Sequence, residues 1–325
     1  MNRRSLLGGA ALAATTALVI RQSKASHVPL RRPRLSHVAV LRCDRYERAP
    51  QVVEQGLQLV RPSVYGKRVL LKPNLVEYSP AAPINTHPML IASVIDALYR
   101  LGAASVIVAE GPGNIRDTDL LLDESGLGAQ LEIFKRAKFV DLNFDSVTRV
   151  IPGTGLTQLE EIWIPTTVQS ADVVISMPKL KTHHWAGVTL SLKNSFGVLP
   201  GSIYGWPKNV LHWQGIDNSI VELAVSVPIH FVIADGIEAM EGNGPLHGTH
   251  RHLGKIVLAD DPVAADFTCA RLMGLDPHRV WHLARAAQFL GNGSYDRIDL
   301  IAEGLPLRTN PFVVLPEFAG LQMRL

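Results

Sequence analysis

The residues best suited to chemistry are grouped in the middle of the chain. Lys181, His183 and His184 follow one short apolar run, and Lys193 and Asn194 follow a second. Histidine can transfer a proton or bind a metal near neutral pH, and lysine can hold an anion or, when desolvated, act as a base or nucleophile. The interpretation that competes with catalysis, for either histidine, is packing in the core. We predict catalytic roles for His183, His184 and Lys193, and substrate-binding roles for Lys181 and Asn194.

Polar residues also end other short apolar runs. Lys72 and Asn74 flank Pro73, which has no amide hydrogen and forces the preceding residue into an extended conformation. A cation and an amide at the mouth of a strand suit an anion, although an exposed lysine before an ordinary turn is the simpler alternative. We predict that Lys72, Asn74 and, in a later glycine-rich stretch, Asn243 bind substrate.

A divalent metal is the alternative source of catalytic power. Carboxylate and imidazole groups are common metal ligands, and we predict Glu110, His212 and Asp235 as a ligand set. Each has a simpler interpretation, because Glu110 precedes a glycine-containing turn and His212 lies near Trp206 and Trp213. The chain holds two cysteines, Cys43 and Cys269, which excludes a cysteine-ligated iron–sulfur cluster. They could form a disulfide or remain two buried thiols.

The elements that must position these residues alternate along the chain. Short apolar runs rich in Val and Ile alternate with segments of helical periodicity, which predicts an α/β fold with a doubly wound, mainly parallel sheet and two lobes around a cleft. In such sheets the ligand lies beyond the carboxyl ends of the strands. The predicted strands are Ser36–Leu41, Arg68–Lys72, Ser105–Ala109, Asp172–Met177, His230–Ala234 and Lys255–Ala259, and the predicted helices are Met89–Leu101, Asn218–Val227, Pro262–Met273 and Pro277–Leu290.

Three details accompany these elements. Thr86 is available as the N-cap of the predicted helix Met89–Leu101. Asp261 could cap the predicted helix Pro262–Met273 rather than act in a site. Four glycines between residues 236 and 248 predict a loop that closes over the site. A possible hairpin, Val147–Ile151 with Glu160–Ile164, interrupts the alternation near a lobe break at 142–157. Otherwise residues 26–325 are predicted to form one domain.

Residues 1–25 have the pattern of an export signal. Arg3 and Arg4 precede an apolar stretch from Leu6 to Ile20, and Ser23 and Ala25 supply small residues at the minus-three and minus-one positions of a cleavage site before Ser26. This pattern indicates a cleaved twin-arginine signal peptide, and hence a periplasmic or other extracytoplasmic location, with the twin-arginine translocation machinery as a partner. The stretch is short for a membrane-spanning helix, so no stable span is expected after cleavage. An uncleaved anchor is the alternative.

Composition excludes several classes of protein. With 47% hydrophobic and 19% charged residues among 325, the chain can form a substantial core, which excludes disorder. Removing the four basic residues of the leader leaves 28 Lys and Arg against 29 Asp and Glu, a net charge near −1. Bulk charge therefore gives no reason to expect nucleic acid as a partner.

Several of these motifs together resemble a known family, domain of unknown function 362. The resemblance rests on Lys72-Pro73-Asn74, Glu110-Gly111-Pro112, Pro178-Lys179-Leu180-Lys181-Thr182-His183, Leu192-Lys193-Asn194-Ser195-Phe196-Gly197, Asp235-Gly236 and Gly242-Asn243-Gly244-Pro245, and it covers about residues 68–275. No activity is assigned to this family, so the resemblance implies none for this chain. Some of its members carry a ferredoxin-like segment, and this chain lacks the cysteines for one.

A fainter resemblance involves lactate racemases. His183, Ala186-Gly187, Lys193 and Pro200-Gly201 are similar in order and spacing to residues that serve a nickel pincer cofactor there. It implies that Lys193 anchors the cofactor, that His183 is a base or ligand, and that His212 is a metal ligand. The glycine-rich stretch of the racemases is replaced here by residues 188–192.

Together these patterns predict an exported enzyme that acts on a small anionic molecule. Lysine and histidine would transfer a proton, or a metal would assist, in a racemase, lyase or hydrolase type of reaction. The alternative is an exported, non-catalytic binding protein for an anion or a metallocofactor.

Overall fold

The computed structural model describes residues 33–113, 117–134, 137–302 and 310–323. The predicted signal peptide, residues 1–25, lies outside these ranges. Within them, no helix combines the length and the apolar character needed to span a bilayer. Every described element therefore lies in the part of the chain that we predict to follow cleavage.

Strands and helices alternate through the described ranges. The strands are β1 Ser36–Arg42, β2 Arg68–Pro73, β3 Ser105–Glu110, β4 Lys138–Asp141, β5 Val147–Val150, β6 Ile162–Pro165, β7 Val173–Met177, β8 Lys179–His183, β9 Gly187–Thr189, β10 Phe231–Asn243, β11 His247–Ala259 and β12 Ile298–Ala302. The α-helices are α1 Ala49–Val60, α2 Pro88–Arg100, α3 Thr118–Glu124, α4 Leu127–Ile133, α5 Thr166–Gln169, α6 Ser191–Asn194, α7 Gly201–Tyr204, α8 Asn209–Trp213, α9 Ile216–Ser226, α10 Pro262–Leu272 and α11 Trp281–Ala286. Single 3₁₀ turns lie at Tyr46–Arg48, Ser195–Val198, Pro277–Arg279, Tyr295–Arg297 and Pro316–Leu321.

One large sheet organises the molecule. Its order is β12-β1-β11-β10-β7-β2-β3-β4; off this path, β8 pairs with β10, and β9 pairs with β8. Neighbours from β10 through β7, β2 and β3 to β4 are parallel, as are β12 with β1 and β8 with β10. The antiparallel pairs are β1 with β11, β10 with β11 and β8 with β9. The predicted α/β fold with a mainly parallel sheet is confirmed.

Apolar side chains cover both faces of this sheet. Along β1, Val38 and Val40 pack into one core while Ala39 and Leu41 pack into the other, because successive strand residues point to opposite faces. Helices α9, α10 and α11 complete the first core, and α1 and α2 complete the second. Burial on both faces explains why the predicted strands are continuous apolar runs rather than alternating ones.

The predicted hairpin forms a separate two-stranded sheet. Strands β5 and β6 pair antiparallel, from Val147 opposite Pro165 to Val150 opposite Ile162. Ile162 and Ile164 are fully buried in the first core. The lobe break at 142–157 and the division into residues 1–25 and 26–325 stay predictions. Cys43 and Cys269 are two separate buried thiols, so the disulfide alternative is wrong.

The predicted loop at residues 236–248 is instead the outer half of a long hairpin. Strand β10 continues to Asn243, and β11 begins at His247. The predicted end of the strand at Asp235-Gly236 is only a change of register between Gly236 and Glu238. Pairing with both β11 and β8 overrides the weak strand propensity of this glycine-rich segment.

Two helix predictions also need correction. The segment predicted as one helix, Pro277–Leu290, is a 3₁₀ turn followed by α11, because Val280 is extended (φ −79°, ψ 109°) between them. The cap of α2 is His87, whose side chain accepts a hydrogen bond from the Met89 amide, rather than Thr86. The Thr86 hydroxyl instead donates to the Met177 carbonyl oxygen. Asp261 does cap α10.

Candidate functional site

A cavity of about 170 Å³ opens where β2 and β3 end. This is the edge at which parallel sheets bind ligands. Three further elements enclose it: α6 with the 3₁₀ turn after it, the α8 segment, and the tip of the β10–β11 hairpin. The lining residues are Asn74, Leu75, Val76, Glu110, Gly111, Gly113, Lys181, His183, His184, Trp185, Thr189, Lys193, Asn194, Phe196, Gly197, Pro207, Lys208, His212, Pro245 and Leu246.

Most of the residues predicted from the sequence meet at this cavity. Eight of the eleven line it: His183, His184, Lys193, Asn74, Lys181, Asn194, Glu110 and His212. The other three, Lys72, Asn243 and Asp235, do not line it. Residues from separate strand ends therefore converge on one cavity, and the roles of the individual side chains depend on their partners.

Lys72 lies behind the cavity wall in a buried network. Its ammonium group donates to the Glu110 carboxylate at 2.6 Å, to the Asn194 side-chain oxygen at 3.1 Å and to the Pro73 carbonyl oxygen at 2.9 Å. These bonds use all three ammonium hydrogens, so none is left for a substrate. Gly197 packs against the Lys72–Glu110 ion pair, since a Cβ at this position would lie 1.9 Å from a Glu110 carboxylate oxygen.

Glu110 and Asn194 belong to the same network. The Glu110 carboxylate also accepts hydrogen bonds from the backbone amides of Leu75 and Gly111. The Asn194 amide group donates to the Lys72 carbonyl oxygen and to the Ser176 hydroxyl. The network fixes β2, β3 and α6 relative to one another, and it neutralises the one carboxylate in the described cavity wall.

Asp235 lies in a second buried cluster, away from the cavity lining. Its carboxylate accepts hydrogen bonds from the Lys179 ammonium at 2.9 Å, the Tyr46 hydroxyl at 3.0 Å and the His87 amide at 3.0 Å. Asn243 is exposed at the end of β10, next to the hairpin turn. The structure therefore places neither residue where the sequence analysis put it.

The predicted metal ligands are not brought together. Asp235 is in the second cluster, and Glu110 is already paired with Lys72. Among the residues that the structure describes, no group of three His, Cys, Asp or Glu side chains has the arrangement of a metal site. The geometry of this ligand set does not fit a divalent metal held by Glu110, His212 and Asp235.

Three lysines line the cavity. Lys181 is fully buried, and its ammonium group donates to the Ile84 carbonyl oxygen at 2.8 Å. Lys193 is partly buried, with its ammonium group 4.0 Å from the centre of the Phe196 ring. Lys208 is buried and donates to the oxygens of Gly111, Pro112 and Asn143. Within the described residues, Lys181 and Lys193 have no carboxylate partner.

Burial and mutual repulsion favour the neutral amines. Burial, together with the charges of Lys72 and Lys208, lowers the pKa of Lys193 to about 7. Burial, reinforced by Lys179 and Lys193, lowers the pKa of Lys181 well below its ordinary value. An entering anion would supply the negative charge that these groups lack and would restore their protonation.

The two adjacent histidines have opposite hydrogen-bonding roles. The Nδ1 atom of His183 accepts from the backbone amides of Trp185, at 3.0 Å, and Ala186, at 3.2 Å. The ring proton of neutral His183 therefore lies on Nε2, and burial lowers its pKa well below the usual range. His184 instead bonds the Gly244 carbonyl oxygen through Nδ1 at 2.7 Å, so Nδ1 carries the proton and Nε2 has a free lone pair.

Aromatic rings form the side of the cavity next to these histidines. The His183 and His184 rings stack with centroids 4.9 Å apart, and Trp185 lies edge-on to both His184 and His212, at 4.5 and 4.7 Å. Burial and the charge of Lys193 lower the pKa of His212 to about 4, so this imidazole is neutral at physiological pH.

Besides Nδ1 of His212, two buried side-chain oxygens of the wall have no hydrogen-bonding partner within the described chain. They are the side-chain oxygens of Asn74 and Thr189, whose residues are 7% and 4% exposed. An unpartnered buried oxygen is costly, so such atoms usually bind water or a ligand. They mark the inner part of the cavity as a place for a polar group.

The sequence analysis missed Lys208 and Thr189. Lys208 does not follow a strand. It comes directly after the Trp206-Pro207 cis peptide, and its own φ of +67° lies in the left-handed region. In the sequence, the one feature that could have singled out Lys208 is its position between Trp206 and Trp213. Thr189 lies directly opposite Lys181 in the β8–β9 pair, a relation that only the sheet register reveals.

The nickel cofactor implied by the fainter resemblance fits this cavity poorly. Lys193 and His183 do line the same cavity. However, the Nδ1 lone pair of His183 already receives two amide hydrogens, and Nε2 presents a hydrogen rather than a lone pair. His183 is thus oriented as a donor rather than as a metal ligand.

Comparison with known proteins gives a family match. A family model described as Domain of unknown function (DUF362) matches residues 69–271. The Thylakoid-associated protein sll1697 of Synechocystis sp. is 29% identical over 219 residues, which cover 65% of this chain and 64% of that protein. The chain thus spans somewhat less than two thirds of the length of that relative.

Two solved structures show low similarity. A Thermotoga maritima protein has a TM-score of 0.40 and 12% identity, covering 62% of this chain and 53% of the other. The lactate racemase apoprotein of Thermoanaerobacterium thermosaccharolyticum has a TM-score of 0.38 and 12% identity, covering 75% and 58% respectively.

Proposed function

Because this chain belongs to the DUF362 family, whose description names no reaction, we propose its function from the cavity: an enzyme that binds a small carboxylate and moves a proton next to the carboxyl group. The observation that carries the proposal is the pair of lysines, Lys181 and Lys193, that line one cavity without a carboxylate partner in the described chain. The one acidic side chain in the described wall is neutralised by Lys72.

The anion is held on the inner wall. Lys181 uses one hydrogen on the Ile84 oxygen, which leaves its others for a carboxylate oxygen. The three ammonium hydrogens of Lys208 are occupied, so this residue contributes positive potential rather than a contact. A hydroxyl next to the carboxylate could donate its hydrogen to one of the unpartnered oxygens, that of Asn74 or that of Thr189.

Proton transfer uses Lys193, His183 and His184. A base works best when its pKa is close to the operating pH, and the pKa of Lys193 is about 7. In the fraction of complexes in which Lys193 is deprotonated, its amine removes the proton from the carbon next to the carboxylate. His183 donates through Nε2 to the oxygen on which negative charge develops, as a neutral imidazole can. His184, with its Nε2 lone pair, is the second group able to exchange a proton.

This set of groups supports two reaction types. Return of the proton to the opposite face of the carbon gives racemisation, and loss of a neighbouring leaving group gives elimination. Both begin with the same abstraction, so hydrogen exchange at that carbon tests the proposal independently of the final product.

The experiment measures that exchange directly. Purified protein is incubated in D₂O with a panel of 2-hydroxy carboxylates, and loss of the proton next to the carboxylate is followed by ¹H NMR. The wild type is expected to exchange at least one member. Lys193→Arg keeps the charge but removes the base, so it should bind that ligand and exchange it at least 100-fold more slowly. Lys67→Met, at an exposed lysine, is the matched control.

The outcomes separate the two candidate functions. Saturable binding by the wild type without exchange would identify a binding protein. Absence of binding across the panel, measured by calorimetry, would reject the carboxylate site altogether.

We also propose that the chain is exported by the twin-arginine route. The support is the sequence of residues 1–25, with Arg3 and Arg4 before an apolar stretch.

A further inference from the structure

The cavity wall changes character from its inner end to its mouth. Most of the buried wall is polar, since Asn74, Glu110, Lys181 and Lys208 are at most 7% exposed, and Leu75 and Phe196 are its buried apolar members. The apolar side chains Val76, Trp185, Pro207, Pro245 and Leu246, which also line the cavity, are partly or fully exposed. A ligand that fills the cavity therefore meets charge at one end and apolar surface at the other.

Trp185 is the largest apolar group at the mouth. It is 52% exposed although its ring is held edge-on against His184 and His212. A large apolar side chain that is fixed in place and still exposed has apolar surface that a ligand could remove from water. Pro245 and Leu246 of the β10–β11 hairpin tip add a second, partly exposed apolar surface to the lining.

The size of the cavity exceeds that of a minimal carboxylate. A volume of about 170 Å³ holds on the order of ten water-sized positions. Lactate has six non-hydrogen atoms, so it would leave the apolar mouth filled with water. Adding a phenyl group doubles the number of non-hydrogen atoms and extends the ligand toward the mouth.

We infer that the ligand of this cavity is a carboxylate with a flat apolar tail, whose anionic head lies at Lys181 and Lys193 and whose tail packs between Trp185 and the hairpin tip 245–246. This inference rests on the proposed carboxylate site and specifies its substrate class. It does not depend on whether the bound molecule then reacts.

The test compares two ligands that differ only in the tail. Binding of lactate and of 3-phenyllactate is measured by isothermal titration calorimetry at the same pH and salt concentration. The wild type should bind 3-phenyllactate at least tenfold more tightly than lactate. Trp185→Ala should reduce that ratio to about threefold or less, and Trp185→Phe should retain most of it.

The control is Trp213→Ala, which removes a tryptophan that is 78% exposed and does not line the cavity. It should leave both affinities unchanged, and circular dichroism would establish that each variant is folded.

The outcomes distinguish the two proposals. Equal wild-type affinities for lactate and 3-phenyllactate would overturn the inference and leave the carboxylate site intact. A tenfold ratio that survives in Trp185→Ala would also overturn the assigned location of the tail. If neither ligand binds, the proposed function itself fails.

Discussion

At the scale of single residues, the charge of Lys193 determines what the cavity can do. Its ammonium group lies over the Phe196 ring, and within the described chain it has no carboxylate partner. The side chain of Lys72, another lysine next to this cavity, is more deeply buried than that of Lys193, but it forms an ion pair with Glu110 at 2.6 Å. The difference between these two lysines is the difference between a structural ion pair and an amine that can gain or lose a proton during function.

This environment predicts a pH dependence of anion binding. With a pKa of about 7 for Lys193 in the free protein, the amine is charged below pH 7 and neutral above it. Lactate or 3-phenyllactate affinity should therefore be constant below about pH 6 and fall by up to tenfold per unit above pH 7, as measured by calorimetry. Lys193→Arg stays charged and should lose this step. A step of the same size in Lys193→Arg would assign the titration to another group.

The hydrogen bonds of His183 predict that its structural and functional roles can be separated. The Oδ1 atom of Asn can take the place of Nδ1 and accept from the Trp185 and Ala186 amides, whereas the longer side chain of Gln can replace Nε2–H but not Nδ1. His183→Asn should keep the melting temperature within a few degrees and lose ligand affinity. His183→Gln should be destabilised by about 1–3 kcal/mol, because buried amides lose their acceptor.

The measurements are thermal unfolding and calorimetry on the same preparations. If His183→Asn is as unstable as His183→Gln, the two amide bonds do not stabilise the turn after β8.

At the scale of elements, the β10–β11 hairpin packs against β8, and this contact positions residues of the cavity lining. Gly244 lies so close to β8 that a Cβ would meet the Thr182 carbonyl oxygen at 2.1 Å. The Gly244 carbonyl oxygen in turn accepts from the backbone amide and from the side chain of His184. One residue of the hairpin turn thus fixes both His184 and the neighbouring apolar pair, Pro245 and Leu246.

We therefore expect Gly244→Ala to move the hairpin tip away from β8. Overpacking of this kind usually costs about 1–3 kcal/mol. Ligand affinity should fall at least tenfold, because the orientation of His184 and the apolar surface of the mouth change together. Calorimetry and thermal unfolding would measure both effects. Gly320→Ala is the matched control, since a Cβ there meets no atom within 4 Å. Unchanged affinity in Gly244→Ala would remove the hairpin tip from the site.

The elements that could be predicted from the sequence are those with continuous apolar runs. Strands β2, β3 and β7 are buried on both faces and flanked by Gly, Pro or charged residues, so their composition alone identifies them. The outer half of β10 could not be predicted, because its glycines favour a loop until β8 and β11 pair with it. The local composition of a segment does not show which distant segments will pair with it in a sheet.

The same limit applies to the site. The strand-end rule brings Glu110 and His183, which end β3 and β8, to one cavity, whereas Lys181 lies within β8 and Lys193 lies in α6. It cannot tell that Lys72 turns inward toward Glu110, or that Asp235 pairs with Lys179. Which polar group finds a partner depends on side-chain packing.

At the scale of the whole molecule, the described chain can fold without oxidation. Cys43 and Cys269 are separate buried thiols, and two apolar cores on the faces of one sheet stabilise the fold. A protein of this kind can be complete before it leaves a reducing compartment. That property agrees with the export route proposed for residues 1–25, which carries folded proteins.

The leader gives the last prediction. Replacing Arg3 and Arg4 by lysine keeps both positive charges and the apolar stretch, so a general secretory signal would still function. A twin-arginine signal requires the arginines themselves. We expect the wild-type chain in the extracytoplasmic fraction, shortened by about 25 residues, and the Arg3→Lys/Arg4→Lys variant retained at full length in the cytoplasm. Fractionation followed by intact-mass measurement distinguishes the routes, and export of the lysine variant would assign the leader to general secretion instead.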